Sequence, residues 1–247
     1  MPVTAEPVPI LSDNYAWLLR DTASGAVGIV DPADADAIIA AIDRQADGRL
    51  DLILLTHHHA DHVAGTDAVR ARYGARVVGA AADVRRLPKL DETLSEGDTV
   101  KLGESRARVI DTPGHTVGHI AFHFPPTGQE GSGVLLCGDT LFSLGCGRLL
   151  EGTAAQMFDS LRKLASLPDD TLVCCGHEYT ESNARFALTV EPDNAALQAR
   201  AEEVRKLRAA GRATVPSTIG GERAANPFVR ARDVAELADR RARKDRF

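Results

Sequence analysis

Residues 54–66 read LLTHHHADHVAGT. Four histidines and one aspartate fall within six positions, directly after an apolar run of Leu52, Ile53, Leu54 and Leu55. No other stretch limits the fold so strongly. A continuous apolar run of this length reads as a strand buried on both faces. Such a strand must deliver its polar end to one edge of a packed sheet. Side chains alternate along a strand, so His57 and His59 project to one side and His58 to the other. Asp61 and His62 then open a helix that folds back over the same point.

The pattern recurs downstream. TPGHT places His115 after ARVID, CGDT places Asp139 after GVLL, and GHEY places His177 after TLVCC. Each candidate stands at the carboxyl end of an apolar segment, where the ligand sites of α/β sheets lie. Imidazole and carboxylate without thiolate favour catalytic zinc, iron or manganese over a cysteine-based structural zinc. Seven side chains exceed one four-coordinate ion. They suit two ions sharing a carboxylate, ~3.5–4 Å apart. An HxH pair alone reads as ordinary polar residues; the ordered set is specific. His58 reads as exposed or supporting. His119 and His123, which alternate with Ile120, Phe122 and Phe124, read as sheet-face or supporting residues.

Strands are expected over 15–21, 25–32, 51–57, 75–81 and 171–177, with several more between 98 and 140. Helices are expected over 34–46 behind Asp34, 61–74 ended by Gly74, 153–167, 180–192, 193–211 and 233–247, with a loop over 214–228. The character changes near residue 178. The expected domains are therefore 1–177, rich in strands, and 178–247, helical.

The 247 residues carry a net charge of −6, which argues against nucleic acid as the partner. The amino terminus has no signal-peptide pattern, and no stretch approaches ~20 uninterrupted apolar residues, so neither export nor a membrane span is expected. Cys137, Cys146, Cys174 and Cys175 form no CxxC pair and read as buried thiols in a reducing, cytoplasmic compartment.

THHHADHVAG, TPGHTVGH, GDTLF and GHEY resemble the metallo-β-lactamase superfamily. The resemblance implies a four-layer αββα sandwich, here with a C-terminal helical domain. It implies His57, His59, His115 and Asp139 at one metal and Asp61, His62, His177 and the shared Asp139 at a second. GDTLFSLGCGRLLEGT, GHEYTESNARFALTVEP, PSTIGGE, NPFVR and RARKD further resemble glyoxalase II, the hydroxyacylglutathione hydrolase family, over nearly the whole chain.

That likeness implies hydrolysis of S-D-lactoylglutathione to D-lactate and glutathione, the second step of methylglyoxal detoxification. The attacking species would be a hydroxide bridging two divalent metals, zinc with iron or manganese as alternatives. Asp61 would orient the water. Arg148, Tyr179, Asn183, Arg241 and Lys244 would contact glutathione. From charge alone the basic tail also reads as a solvated helix end. Leu150 stands where the family often has a tyrosine, so one hydroxyl contact is missing. The alternative activity is a glutathione persulfide dioxygenase with one iron. A small-molecule thioester as partner and a monomeric state complete the expectations.

Overall fold

The computed structural model describes residues 3–126 and 132–247. The first sheet runs in the order β1 (Val3–Ile10), β2 (Asn14–Asp21), β3 (Val27–Val30), β4 (Leu52–Leu54), β5 (Arg76–Ala80), β6 (Glu92–Leu94). β3 through β6 pair in parallel, while β1 and β2 are antiparallel. Between them lie helices α1 (Ala35–Gln45), α2 (Ala60–Val63) and α3 (Thr66–Tyr73). The second sheet comprises β7 (Thr99–Leu102), β8 (Ser105–Asp111), β9 (Ile120–Phe124), β10 (Val134–Gly138), β13 (Leu172–Cys175) and β14 (Ser217–Thr218), in the order β14-β13-β10-β9-β8-β7. A hairpin of β11 (Leu141–Phe142) and β12 (Gly145–Cys146) and helix α4 (Ala154–Ala165) interrupt it. Helices α5 (Thr180–Val190), α6 (Ala195–Ala209), α7 (Ile219–Ala225) and α8 (Val234–Asp245) follow.

The sheets pack face to face through Leu52, Leu54 and Val78 against Val109, Phe122 and Leu136. Ile38, Ile42 and Val69 of α1 and α3 cover the outer face of the first sheet. Met157, Leu161 and Leu164 of α4 join the core from the other side. Four αββα layers result, as expected. No helix among the described residues is long and apolar enough to cross a membrane. The four cysteines are buried and unpaired.

Local chemistry sets the element ends. Asp34 accepts the Ala37 N–H at 3.1 Å and starts α1. Thr153 and Gln156 form a reciprocal capping box on α4. The helix expected over 61–74 is instead two, broken at Gly65. A Cβ there would stand 2.5 Å from the Pro32 carbonyl oxygen, so the chain turns where it touches its neighbour. The expected loop over 214–228 contains β14 and α7, with Thr218 capping Gly221. β1 was not expected; Pro7 and Pro9 are tolerated because β1 is an edge strand.

Candidate metal centre and adjoining cleft

The expected ligands stand on loops that leave the carboxyl ends of β4, β8, β10 and β13, with Asp61 and His62 on the short helix α2 that follows β4, and they meet. His57 Nε2 lies 3.1 Å from His59 Nδ1, which lies 3.0 Å from His115 Nε2. His62 Nε2 lies 3.4 Å from His177 Nε2. Asp139 stands between these groups, 3.5 Å from His115 Nε2 and 3.3 Å from the Nε2 atoms of both His62 and His177. Asp61, His62 and His177 form one ligand-type trio, and His57, His59 and His115 another.

The far side explains the orientation of four of the rings. His62 Nδ1 is 2.9 Å from Asp31 Oδ2, His177 Nδ1 is 2.9 Å from Asp13 Oδ1, and His115 Nδ1 is 2.9 Å from the Arg148 carbonyl oxygen. A ring that donates Nδ1–H to such an acceptor presents its Nε2 lone pair inward. His57 follows the same logic through Thr56. The Thr56 hydroxyl donates to Asp31 at 2.7 Å and stands 3.0 Å from His57 Nδ1. Asn14 donates to Asp61 Oδ2 at 3.0 Å.

Bare lone pairs facing one another at these distances repel unless a cation or protons lie between them. Asp139 Oδ1 is buried without a hydrogen-bond partner among the described residues. Burial, then neighbouring imidazoles, pushes the His57 pKa well below the histidine range, and burial lowers His59 and His115. Burial also works against ionising Asp139, but His62 and His177 outweigh it and hold the carboxyl well down. Asp139 and Asp31 raise His62 despite its burial. His57, His59 and His115, kept neutral, and the ionised Asp139 are donors for a divalent metal, and His62 and His177, which Asp139 raises despite their burial, would give up their protons on binding one. The residues fit one.

Other expectations resolve individually. His58 points away, with Nδ1 3.1 Å from Asp83 Oδ2. His119 stacks on His57 at 4.8 Å and accepts the Asp139 N–H at 3.1 Å. Thr112 and Thr140 hold its Nδ1 at 2.9 and 3.2 Å. Thr116 Oγ1 has no partner among the described residues. Asp13, Asn14 and Asp31 were not anticipated. The available signal for Asp31 was its place after β3, next to the strand that delivers the histidines.

The centre opens into a cleft of about 540 Å³, lined by all five residues expected to contact substrate. Arg148 is largely exposed and 3.8 Å from Asp245. Tyr179 lines the wall beside Phe142. Lys244 donates to the Ser182 carbonyl and hydroxyl oxygens, both at 3.0 Å, and sits over Phe186 and Phe247. Asn183 and Arg241 are buried and already engaged, by the carbonyls of Ser143 and Cys146 at 3.1 and 2.8 Å. Leu150 lies on the rim, 59% exposed.

A two-sheet sandwich with a His/Asp cluster at its strand ends defines the metallo-β-lactamase superfamily, whose family model matches residues 11–177. Residues 178–247 match the family described as hydroxyacylglutathione hydrolase C-terminus. The chain belongs to the hydroxyacylglutathione hydrolase family. It is 56% identical to a hydroxyacylglutathione hydrolase of Acidiphilium cryptum, over 99% of this chain and 97% of the relative. It is 52% identical to one of Ruegeria pomeroyi over the full length of both. Among solved structures, ETHE1 from Myxococcus xanthus superposes with a TM-score of 0.68 at 26% identity, over 97% of this chain and 90% of that one.

Proposed function

We propose that this chain hydrolyses the thioester of S-(2-hydroxyacyl)glutathione, such as S-D-lactoylglutathione, to a 2-hydroxy acid and glutathione. The observation that carries this is a metal-type His/Asp cluster opening directly into a cleft lined by Arg148, Arg241 and Lys244. Glutathione carries two carboxylates, which such cations recognise. Whole-length likeness to hydroxyacylglutathione hydrolases favours this reading over a persulfide dioxygenase.

His57, His59 and His115 would hold one divalent ion, and Asp61, His62 and His177 a second, with Asp139 common to both. Zinc suits the donors, as do iron and manganese. When bound, such metals supply Lewis acidity that makes water a nucleophile near neutral pH. Asp61 Oδ2, fixed by Asn14, orients the attacking water at the mouth of the cleft. Residues 178–247, together with Arg148, grip the glutathione half, and the ligand-type residues within 1–177 provide the chemistry. Burial pushes the Cys146 thiol on the cleft wall up to about 11.

Elemental analysis and turnover on one sample test the reading. About two metals per chain and chelator-sensitive loss of thioester absorbance are expected. One iron, no thioester turnover and oxygen uptake with a glutathione persulfide would replace it with the dioxygenase.

A further inference from the structure

PSTIGGE and NPFVR supply no metal ligand and no cleft wall, yet Glu222 and Asn226, which they contain, are 2% and 0% exposed. Both face the β11–β12 hairpin. Its turn holds Leu144, buried and in the left-handed region at φ 58°. The C-terminal helices meet its backbone group by group. The Leu144 N–H donates to Glu222 Oε2 at 2.8 Å. Asn226 Nδ2 donates to the carbonyls of Phe142 and Gly145, at 3.1 and 3.0 Å, and to Glu222 Oε2 at 2.9 Å. Asn183 and Arg241 take the carbonyls of Ser143 and Cys146.

What the hairpin carries is the substrate cleft. The Phe142 ring meets Tyr179 edge-on at 5.3 Å, and the Cys146 carbonyl seats Arg241. Asp139 is anchored separately, by His119. Glu222 is a buried carboxyl whose partners here are neutral groups, and burial raises its pKa. An apolar side chain would fill the space without that desolvation cost but would leave the Leu144 N–H unpaired.

We infer that Glu222 and Asn226 are positioning residues for the glutathione half of the substrate, acting through the hairpin on Tyr179, Asn183 and Arg241, while Asp13 holds His177, which Phe142 also meets edge-on at 5.9 Å, and His119 holds Asp139. The inference rests on the thioester hydrolase reading.

The test is steady-state kinetics of the holoenzyme and of Glu222→Ala, Glu222→Gln, Asn226→Ala and Asn226→Asp, with metal content measured on each. Two substrates are compared: S-D-lactoylglutathione and the lactoyl thioester of N-acetylcysteamine, whose thiol half has no carboxylate. Glu222→Ala and both Asn226 variants should raise KM for the glutathione thioester about tenfold, with kcat within about threefold. Turnover of the small thioester and metal content should hold. Glu222→Gln keeps an acceptor for the Leu144 N–H and should restore KM. If Glu222→Ala does not fold, Asn226→Asp, which removes the donors at constant volume, decides alone. Equal losses on both thioesters, metal loss or an unchanged KM would overturn the inference. A wild-type protein inert toward glutathione thioesters would instead overturn the proposed function. Calorimetry of glutathione binding across the same variants then reads the positioning role, with weaker binding supporting it and equal binding sinking it.

Discussion

The Tyr179 ring lies parallel to the His177 imidazole, 4.5 Å between centroids and 8° apart. The stack joins the cleft to the metal-type cluster, because the opposite edge of the same imidazole is held by Asp13. Phe142 closes the group edge-on to both rings. Tyr179 therefore has two separable parts, a ring that supports His177 and a hydroxyl available to substrate. Tyr179→Phe should raise KM about threefold and leave kcat unchanged, while Tyr179→Ala should lower kcat as well. Equal kinetics for the two variants would show that the ring contributes nothing.

Asp31 receives His62 Nδ1, the Thr56 N–H and the Thr56 hydroxyl, at 2.9, 2.9 and 2.7 Å. It sits at φ 53°, a backbone region that Asn also tolerates. Asp31→Asn thus removes the charge without straining the chain. Metal affinity should fall about tenfold or more, read by competition with a chelator. Unaltered affinity would mean that His62 needs no carboxylate behind it.

Lys244 bears on pH dependence. Burial, with Arg241, Arg185 and Arg148 adding to it, lowers its pKa to about 8. The ammonium is present below that value and lost above it. Affinity for a substrate bearing carboxylates should therefore decline as pH rises through about 8, and kcat/KM with it. Lys244→Gln should flatten this limb and lower kcat/KM at neutral pH. A limb that survives the substitution belongs to another group.

Asp21 makes a stability prediction. From the end of β2 it accepts the Ser105 hydroxyl at 2.6 Å and the Glu104 N–H at 3.1 Å, tying the first sheet to the β7–β8 turn of the second. Burial alone would raise its pKa, but hydrogen bonds from Ser105 and Ser24 bring it down to about 2. The folded pKa lies below the ordinary 3.8, so the contribution is whole above 3.8 and is lost as pH falls through about 2. Asp21→Ala should cost about 2 kcal/mol in urea unfolding at neutral pH and much less near pH ~2.

The seven ligand-type residues were legible because each ends an apolar strand and their types share one chemistry. Asp13, Asn14 and Asp31 were not, since a single polar residue at a strand end has no spacing pattern to mark it. Proximity alone gives them their roles. β1 escaped because two prolines outweigh its alternation until its edge position is known. The break at Gly65 depends on the Pro32 carbonyl, which lies far away in sequence. The five residues expected to contact substrate do line one cleft. Only packing reveals that Asn183 and Arg241 hold a hairpin.

β14 returns from the C-terminal helices to pair with β13, Ser217 opposite Val173 and Thr218 opposite Leu172. Two residues thereby cap the unpaired rim of a strand reading LVCC. Without them, backbone donors and acceptors flanked by apolar side chains would face water, the arrangement that recruits foreign strands. Shortening the chain ahead of Ser217 should therefore create a self-associating surface as well as an enzyme without its grip. Any exchange of carboxyl-terminal segments between relatives has to bring this short strand along.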